Sequence, residues 1–124
     1  MAKVHERFLK YVVVDTESMH DSPNAPSTEK QKDLGKILVE EMKELNIQDI
    51  YMSDEGCVYG SIPANCEPCN APVIGFIAHM DTSPDLTGKN VSPHIIEKYD
   101  GKDIVLNEEK NIVMKVSEFE SLNE

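Results

Sequence analysis

Several things that would mark a membrane protein or a secreted scaffold are missing from this sequence. No apolar run approaches the roughly 20 residues a membrane-spanning helix requires, and the longest uncharged one, Val73 to Ala78, suits a strand. Tryptophan is absent, and the three cysteines, Cys57, Cys66 and Cys69, cannot all pair within one chain, which argues against a disulfide-built domain. The opening MAKVHERFLKY mixes charge with apolar residues at helical spacing and lacks the apolar centre of a secretory signal. The simplest reading is a cytoplasmic protein. Basic residues are also scarce: 12 Lys and Arg stand against 23 Asp and Glu, a formal net charge of −11, and they do not cluster. Such a chain repels polyanions, so neither nucleic acid nor an anionic membrane is expected as a partner. The acidity serves solubility and is compatible with cationic ligands such as a peptide amine or metal ions.

What is present is enough for one modest domain, 124 residues with 40% hydrophobic residues. Val4, Phe8, Leu9 and Val12 fall on one face of a first amphipathic helix, Ala2 to about Val13. A Pro- and Asn-containing loop, Ser18 to Ser27, leads to Thr28 and Gln31, spaced as a capping box. The helix they open carries Leu34, Ile37, Leu38, Met42 and Leu45 on one stripe and Glu40, Glu41, Lys43 and Glu44 mostly on the other. Asn46 occupies the position at which a left-handed residue stops a helix. Ile50 to Ile62 reads as a hairpin turned at Asp54-Glu55-Gly56. Val73 to Ala78 is apolar on both faces, which predicts a central, covered strand. A second hairpin is predicted around Asp100-Gly101, pairing His94–Tyr99 with Lys102–Leu106. These elements predict an α/β fold in which two helices pack on a mixed sheet. No internal repeat or domain linker is visible, so residues 1–124 read as a single domain.

The chemistry concentrates where the apolar run ends. His79 and Asp81 lie two positions apart, so continued extension would put both on one side of the strand. A strand's exit from its sheet is where open α/β sheets usually keep ligands. An imidazole beside a carboxylate there suits a metal ligand and the group that orients it. Cys66-Glu67-Pro68-Cys69 has the spacing of half a zinc knuckle, but no second ligand pair accompanies it; it reads as a loop with two free thiols. Thr87-Gly88-Lys89 lacks the earlier glycine of a phosphate loop. The doublets Glu40-Glu41 and Glu108-Glu109 read as solvated, and His5, His20 and His94 as surface histidines.

ERFLKYVVVDTES (Glu6 to Ser18), PSTEKQ (Pro26 to Gln31), GFIAHMDTSPD (Gly75 to Asp85) and YDGKDIVLN (Tyr99 to Asn107) occur in an order and spacing that closely resemble the amino-terminal part of the tripeptide aminopeptidases of the M20 metallopeptidase family. The resemblance implies the start of a zinc-binding catalytic domain, with His79 as ligand to one of two zinc ions and Asp81 as the catalytic-site partner that holds His79 in position. It implies release of the amino-terminal residue from tripeptides by metal-activated water. The family's bridging aspartate, base glutamate, remaining ligands and lid domain would lie beyond the matched stretch, and no Asp-Asp-Lys or Glu-Glu motif of suitable context follows Asn107. The chain is therefore expected to be the first piece of such an enzyme, inactive alone. The alternative is a non-catalytic binding or assembly module, dimeric or completed by a separate carboxyl-terminal half.

Overall fold

A computed structural model describes residues 3–68 and 70–123. It comprises two compact units, Met1–Pro93 and His94–Glu124. The α/β class stands, but among the described residues the strands do not form one mixed sheet: two helices accompany two two-stranded antiparallel sheets. Among the described residues no helix is long and apolar enough to cross a membrane.

In the first unit, α1 (Val4–Tyr11) begins with the Glu6 carboxylate accepting the Lys3 backbone N–H at 2.6 Å, which satisfies a donor that no helical carbonyl can reach. The second helix, α2 (Gln31–Glu44), buries Leu34 to 7% exposure, and the predicted stripe of Ile37, Leu38, Met42 and Leu45 is half-buried along the same side. Asn46 adopts the left-handed conformation, φ 57°. Around it Asn46 N–H donates to Lys43 O at 3.0 Å and Ile47 N–H to Met42 O at 3.1 Å, so the last carbonyls of α2 are satisfied as the chain turns away. The predicted capping box does not form. The Thr28 hydroxyl donates instead to Glu17 O at 2.8 Å and accepts from the Gln31 side-chain amide at 3.1 Å. A hydroxyl committed to a distant carbonyl serves tertiary structure, and three successive i→i−3 backbone bonds open the helix in its place.

The expected first hairpin is present as β1 (Gln48–Met52) and β2 (Val58–Ser61). Gly56 supplies the positive φ, 83°, that the connecting turn demands. Tyr51 and Tyr59 are opposite each other and stack, ring centroids 4.7 Å apart. The helix α2 packs on this hairpin through two small residues. A Cβ on Gly60 would lie 2.6 Å from Ile47 Cγ2 and 3.2 Å from Met42 Sδ, whereas one on Gly35 would lie 2.6 Å from Met52 Sδ, the far end of a flexible side chain. Gly60→Ala is therefore expected to lower the urea midpoint by the equivalent of about 1–3 kcal/mol, because a β-branched neighbour cannot swing aside. Gly35→Ala should cost much less, as the thioether moves. Equal losses in the two variants would contradict this account of the packing.

The Glu40-Glu41 doublet is not wholly solvated. Glu41 is 7% exposed, accepting from Lys10 Nζ at 2.8 Å and from the Tyr11 hydroxyl. A buried carboxylate persists only when donors replace its water, and α1 supplies both. This clasp fastens α1 to α2.

The predicted central strand is the larger correction. Residues 71–78 belong to no strand and make no backbone hydrogen bond among the described residues, and Val73 and Ile77 are each 100% exposed. Apolar character on both faces gives a segment the composition of a central strand, but a strand exists only beside neighbours that complete its ladder, and no described strand pairs with this one. Cys66 is likewise corrected: it is disulfide-bonded, not a free thiol, an arrangement that a loop without secondary structure can accommodate. Cys57 is free and exposed. Cys69 lies outside the described residues.

In the second unit, β3 (Ile104–Asn107) pairs with β4 (Ile112–Met114), not with His94–Tyr99 as predicted. Asp100-Gly101 does bend the chain, with Gly101 at φ 78° and Asp100 accepting from Lys102 N–H at 3.3 Å. The stronger turn comes later. Asn111 takes φ 52°, Asn107 Oδ1 accepts from Lys110 N–H at 2.8 Å, and the apolar pairs Ile104–Met114 and Val105–Val113 form across the strands. A 3₁₀ turn, Glu120–Asn123, follows.

Candidate functional site

Beyond residue 78 the chain regains hydrogen-bonded partners, and the two residues of the His-x-Asp motif meet there. His79 Nδ1 lies 2.9 Å from the Asp81 backbone oxygen and 3.3 Å from its Oδ1. Both contacts are to acceptors, so they favour the tautomer with the proton on Nδ1 and leave Nε2 with its lone pair. The ring is open to solvent, its side chain 85% exposed, and that of Asp81 is 45% exposed. Phe76 to Asp81, with Leu38, Met42, Val58 and Tyr59, line an open groove of about 880 Å³.

Thr82, the next residue, is gripped on both sides of its peptide. Its N–H donates to Thr16 O at 3.1 Å, and its carbonyl accepts from the Ser18 N–H and hydroxyl, each at 2.9 Å. Glu17 and Thr82 thereby form an isolated parallel bridge, with Thr16 buried beneath it. The Glu17 carboxylate reaches across to the far end of the loop, accepting from Gly88 N–H at 3.3 Å and lying 3.5 Å from the Thr87 hydroxyl. Lys30 binds the same strip, 2.8 Å from Asp15 Oδ1 and 3.7 Å from Glu17 Oε2. Its ammonium holds the Asp15 carboxyl below the usual range, and the same hydrogen bond raises Lys30.

The two sequence-predicted site residues thus lie together, while His20 is engaged elsewhere, 3.9 Å from Asp85. Among the described residues no group of three His, Cys, Asp or Glu is arranged to hold a metal ion. The site present is one imidazole and the acid beside it, short of the three protein ligands a catalytic zinc requires. Sequence reasoning gave Thr16, Glu17 and Ser18 no role. The available signal was their place in the stretch Glu6 to Ser18, one of the four that carry the family resemblance.

No protein-family model matches the chain. Curated relatives do, over nearly all its residues. The protein named Peptidase T of Alkaliphilus oremlandii (strain OhILAs) is 51% identical over 123 residues, 98% of this chain and 30% of its own length. That of Clostridium acetobutylicum is 53% identical over 119 residues, 96% of this chain and 29% of its own. That of Clostridium botulinum (strain Hall) is 49% identical over 124 residues, all of this chain and 30% of its own. The chain is therefore homologous to proteins named Peptidase T and spans about 30% of their length.

Proposed function

We propose, taking kinship with the proteins named Peptidase T as premise, that this chain forms the amino-terminal part of the zinc-binding catalytic domain of an M20-type aminopeptidase, a cytoplasmic enzyme that removes the first residue of tripeptides. The observation that supports the reading is the engagement of His79 Nδ1 by Asp81, which leaves the Nε2 lone pair open to a metal ion. The donor chemistry fits zinc: a neutral imidazole presenting one nitrogen, its other N–H held by an acid, is a common ligand unit. Zinc, when bound, supplies Lewis-acid activation of water and of the scissile carbonyl. His79 would hold the ion, and Asp81 would fix the ring's tautomer and direction. The other ligands of the pair of zinc ions and the general-base glutamate are assigned to sequence that the relatives have and this chain does not span. The test is a tripeptide assay with added zinc, comparing the 124-residue chain with a polypeptide of the relatives' length that carries it. The longer protein is expected to release the amino-terminal residue and the shorter chain nothing. A longer protein that is inert towards every tripeptide overturns the reading.

The exposed run Val73 to Ile77 favours a second reading, an assembly module whose apolar segment is covered by another polypeptide. Light scattering on the purified chain is expected to show a homo-oligomer under this reading. A monomer at high concentration removes self-assembly and leaves a separate carboxyl-terminal half as the covering polypeptide.

A further inference from the structure

We propose that Asp100 and Gly101 form a self-modification site, at which the Asp100 carboxyl and the Gly101 amide close to a succinimide that reopens as isoaspartate. The inference stands apart from the role of His79. The Gly101 nitrogen attacks Asp100 Cγ, its proton and the carboxyl hydroxyl leave as water, and a five-membered ring forms. Water then adds at the Asp100 main-chain carbonyl, breaks its bond to the Gly101 nitrogen and frees an α-carboxylate. One water is lost and one gained, no oxidant or reductant enters, and the main chain becomes one methylene longer. Three observations favour these steps here. Asp100 Oδ1 accepts from Lys102 N–H at 3.3 Å and Oδ2 from Lys102 Nζ at 2.6 Å, so the carboxyl lies folded back across the intervening glycine. Gly101 N–H donates to no backbone carbonyl among the described residues, because β3 pairs with β4 and not across this turn. A Cβ built on Gly101 would meet nothing within 4 Å, so no neighbour crowds the attacking nitrogen, and glycine brings no side chain of its own. The sequence has one Asp-Gly and no Asn-Gly, and at every other aspartate the next residue carries a side chain. At Asp81 the next amide is also committed, Thr82 N–H donating to Thr16 O at 3.1 Å. Lys102 acts as a brake: the carboxyl releases water from its protonated form, and the hydrogen bond from the ammonium holds it below the ordinary carboxylate range.

The test incubates the 124-residue chain for weeks in mildly acidic buffer, locates isoaspartate by electron-transfer fragmentation and quantifies it by enzymatic methyl transfer from S-adenosylmethionine. Residue 100 is expected to convert faster than any other aspartate. Its rate should lie within about threefold of that in a free peptide of residues 96–106, because an exposed bend outside any ladder offers the reaction little resistance. Asp100→Glu keeps the charge beside Lys102 but needs a larger ring, and is expected to lose the signal at this position. Lys102→Gln should speed conversion roughly two- to fivefold, the change an exposed ion pair makes in a protonation equilibrium. Faster conversion at another aspartate, a rate in the chain more than about tenfold below the peptide's, or an undiminished signal in Asp100→Glu overturns the proposal. An unchanged rate in Lys102→Gln overturns the part given to the ammonium.

Discussion

Replacing His79 by alanine in a polypeptide of the relatives' length is expected to lower tripeptide turnover at least 100-fold at any zinc concentration that leaves the protein folded, since a catalytic zinc held by about three protein ligands cannot lose one and keep its geometry. Asp81→Asn should cost less. The Nδ1 proton has two acceptors, the Asp81 backbone oxygen at 2.9 Å and the carboxylate at 3.3 Å, and the asparagine keeps the first intact. What disappears is the negative charge that makes the imidazole a better donor to the ion. The expected loss is about tenfold, the mild end for an orienting partner. Turnover of the His79 variant within a few-fold of the parent, or an Asp81→Asn loss as large as that of His79→Ala, contradicts the assigned roles.

The second large effect concerns stability. Glu41→Ala is expected to reduce the unfolding free energy by about 1–2 kcal/mol, because it leaves the part-buried Tyr11 hydroxyl without its acceptor and removes the ion pair with Lys10, whose half-exposed ammonium returns to water. The loss should depend on pH at both extremes. Lys10 first, and then the Tyr11 hydroxyl, hold the Glu41 carboxyl below its ordinary 4.5, so its contribution is present above that value and disappears as pH falls through the depressed one. Burial first, and then the hydrogen bond to Glu41, push Tyr11 from 10.0 up to about 12, so the phenol's contribution is complete below 10.0 and is lost as pH rises through about 12. Chemical unfolding of parent and variant across pH measures the difference directly. It should be greatest between about pH 5 and 10 and should shrink outside that window. A difference that stays constant from pH 3 to 12 would mean that the carboxylate contributes nothing through its charge.

Local signals were read well and partnership poorly. The stripe of α2, the stop at Asn46 and the turn at Gly56 each depend on a few neighbouring residues, and the structure keeps them. The same sequence-local view failed where the outcome turned on a distant partner. Thr28 has the look of a cap until Glu17 O claims its hydroxyl, and Glu41 has the look of a surface acid until α1 arrives with Lys10 and Tyr11. Val73 to Ala78 carries every compositional mark of a central strand, yet strand pairing belongs to two segments, and only one was in view. At Asp100-Gly101 two turn signals competed, and the asparagines at 107 and 111, which close the later turn, prevailed. The motif was the most legible part of the site, because two residues of spacing are a local property. The strip Thr16–Ser18 that anchors it lies more than sixty positions earlier and leaves no mark within the motif.

The backbone of residues 71–78, without a hydrogen bond among the described residues, also bears on where the first unit is cut. A protease must draw several residues into an extended cleft, which helices and hairpins resist until they open. Phe76 is 94% exposed and lies in backbone that makes no hydrogen bond among the described residues, so an enzyme that cleaves after aromatic residues is expected to cut there ahead of the aromatic residues held in the helices and hairpin of the first unit. The lifetime of the Phe76–Ile77 bond under brief digestion therefore gauges how completely another polypeptide shields this segment.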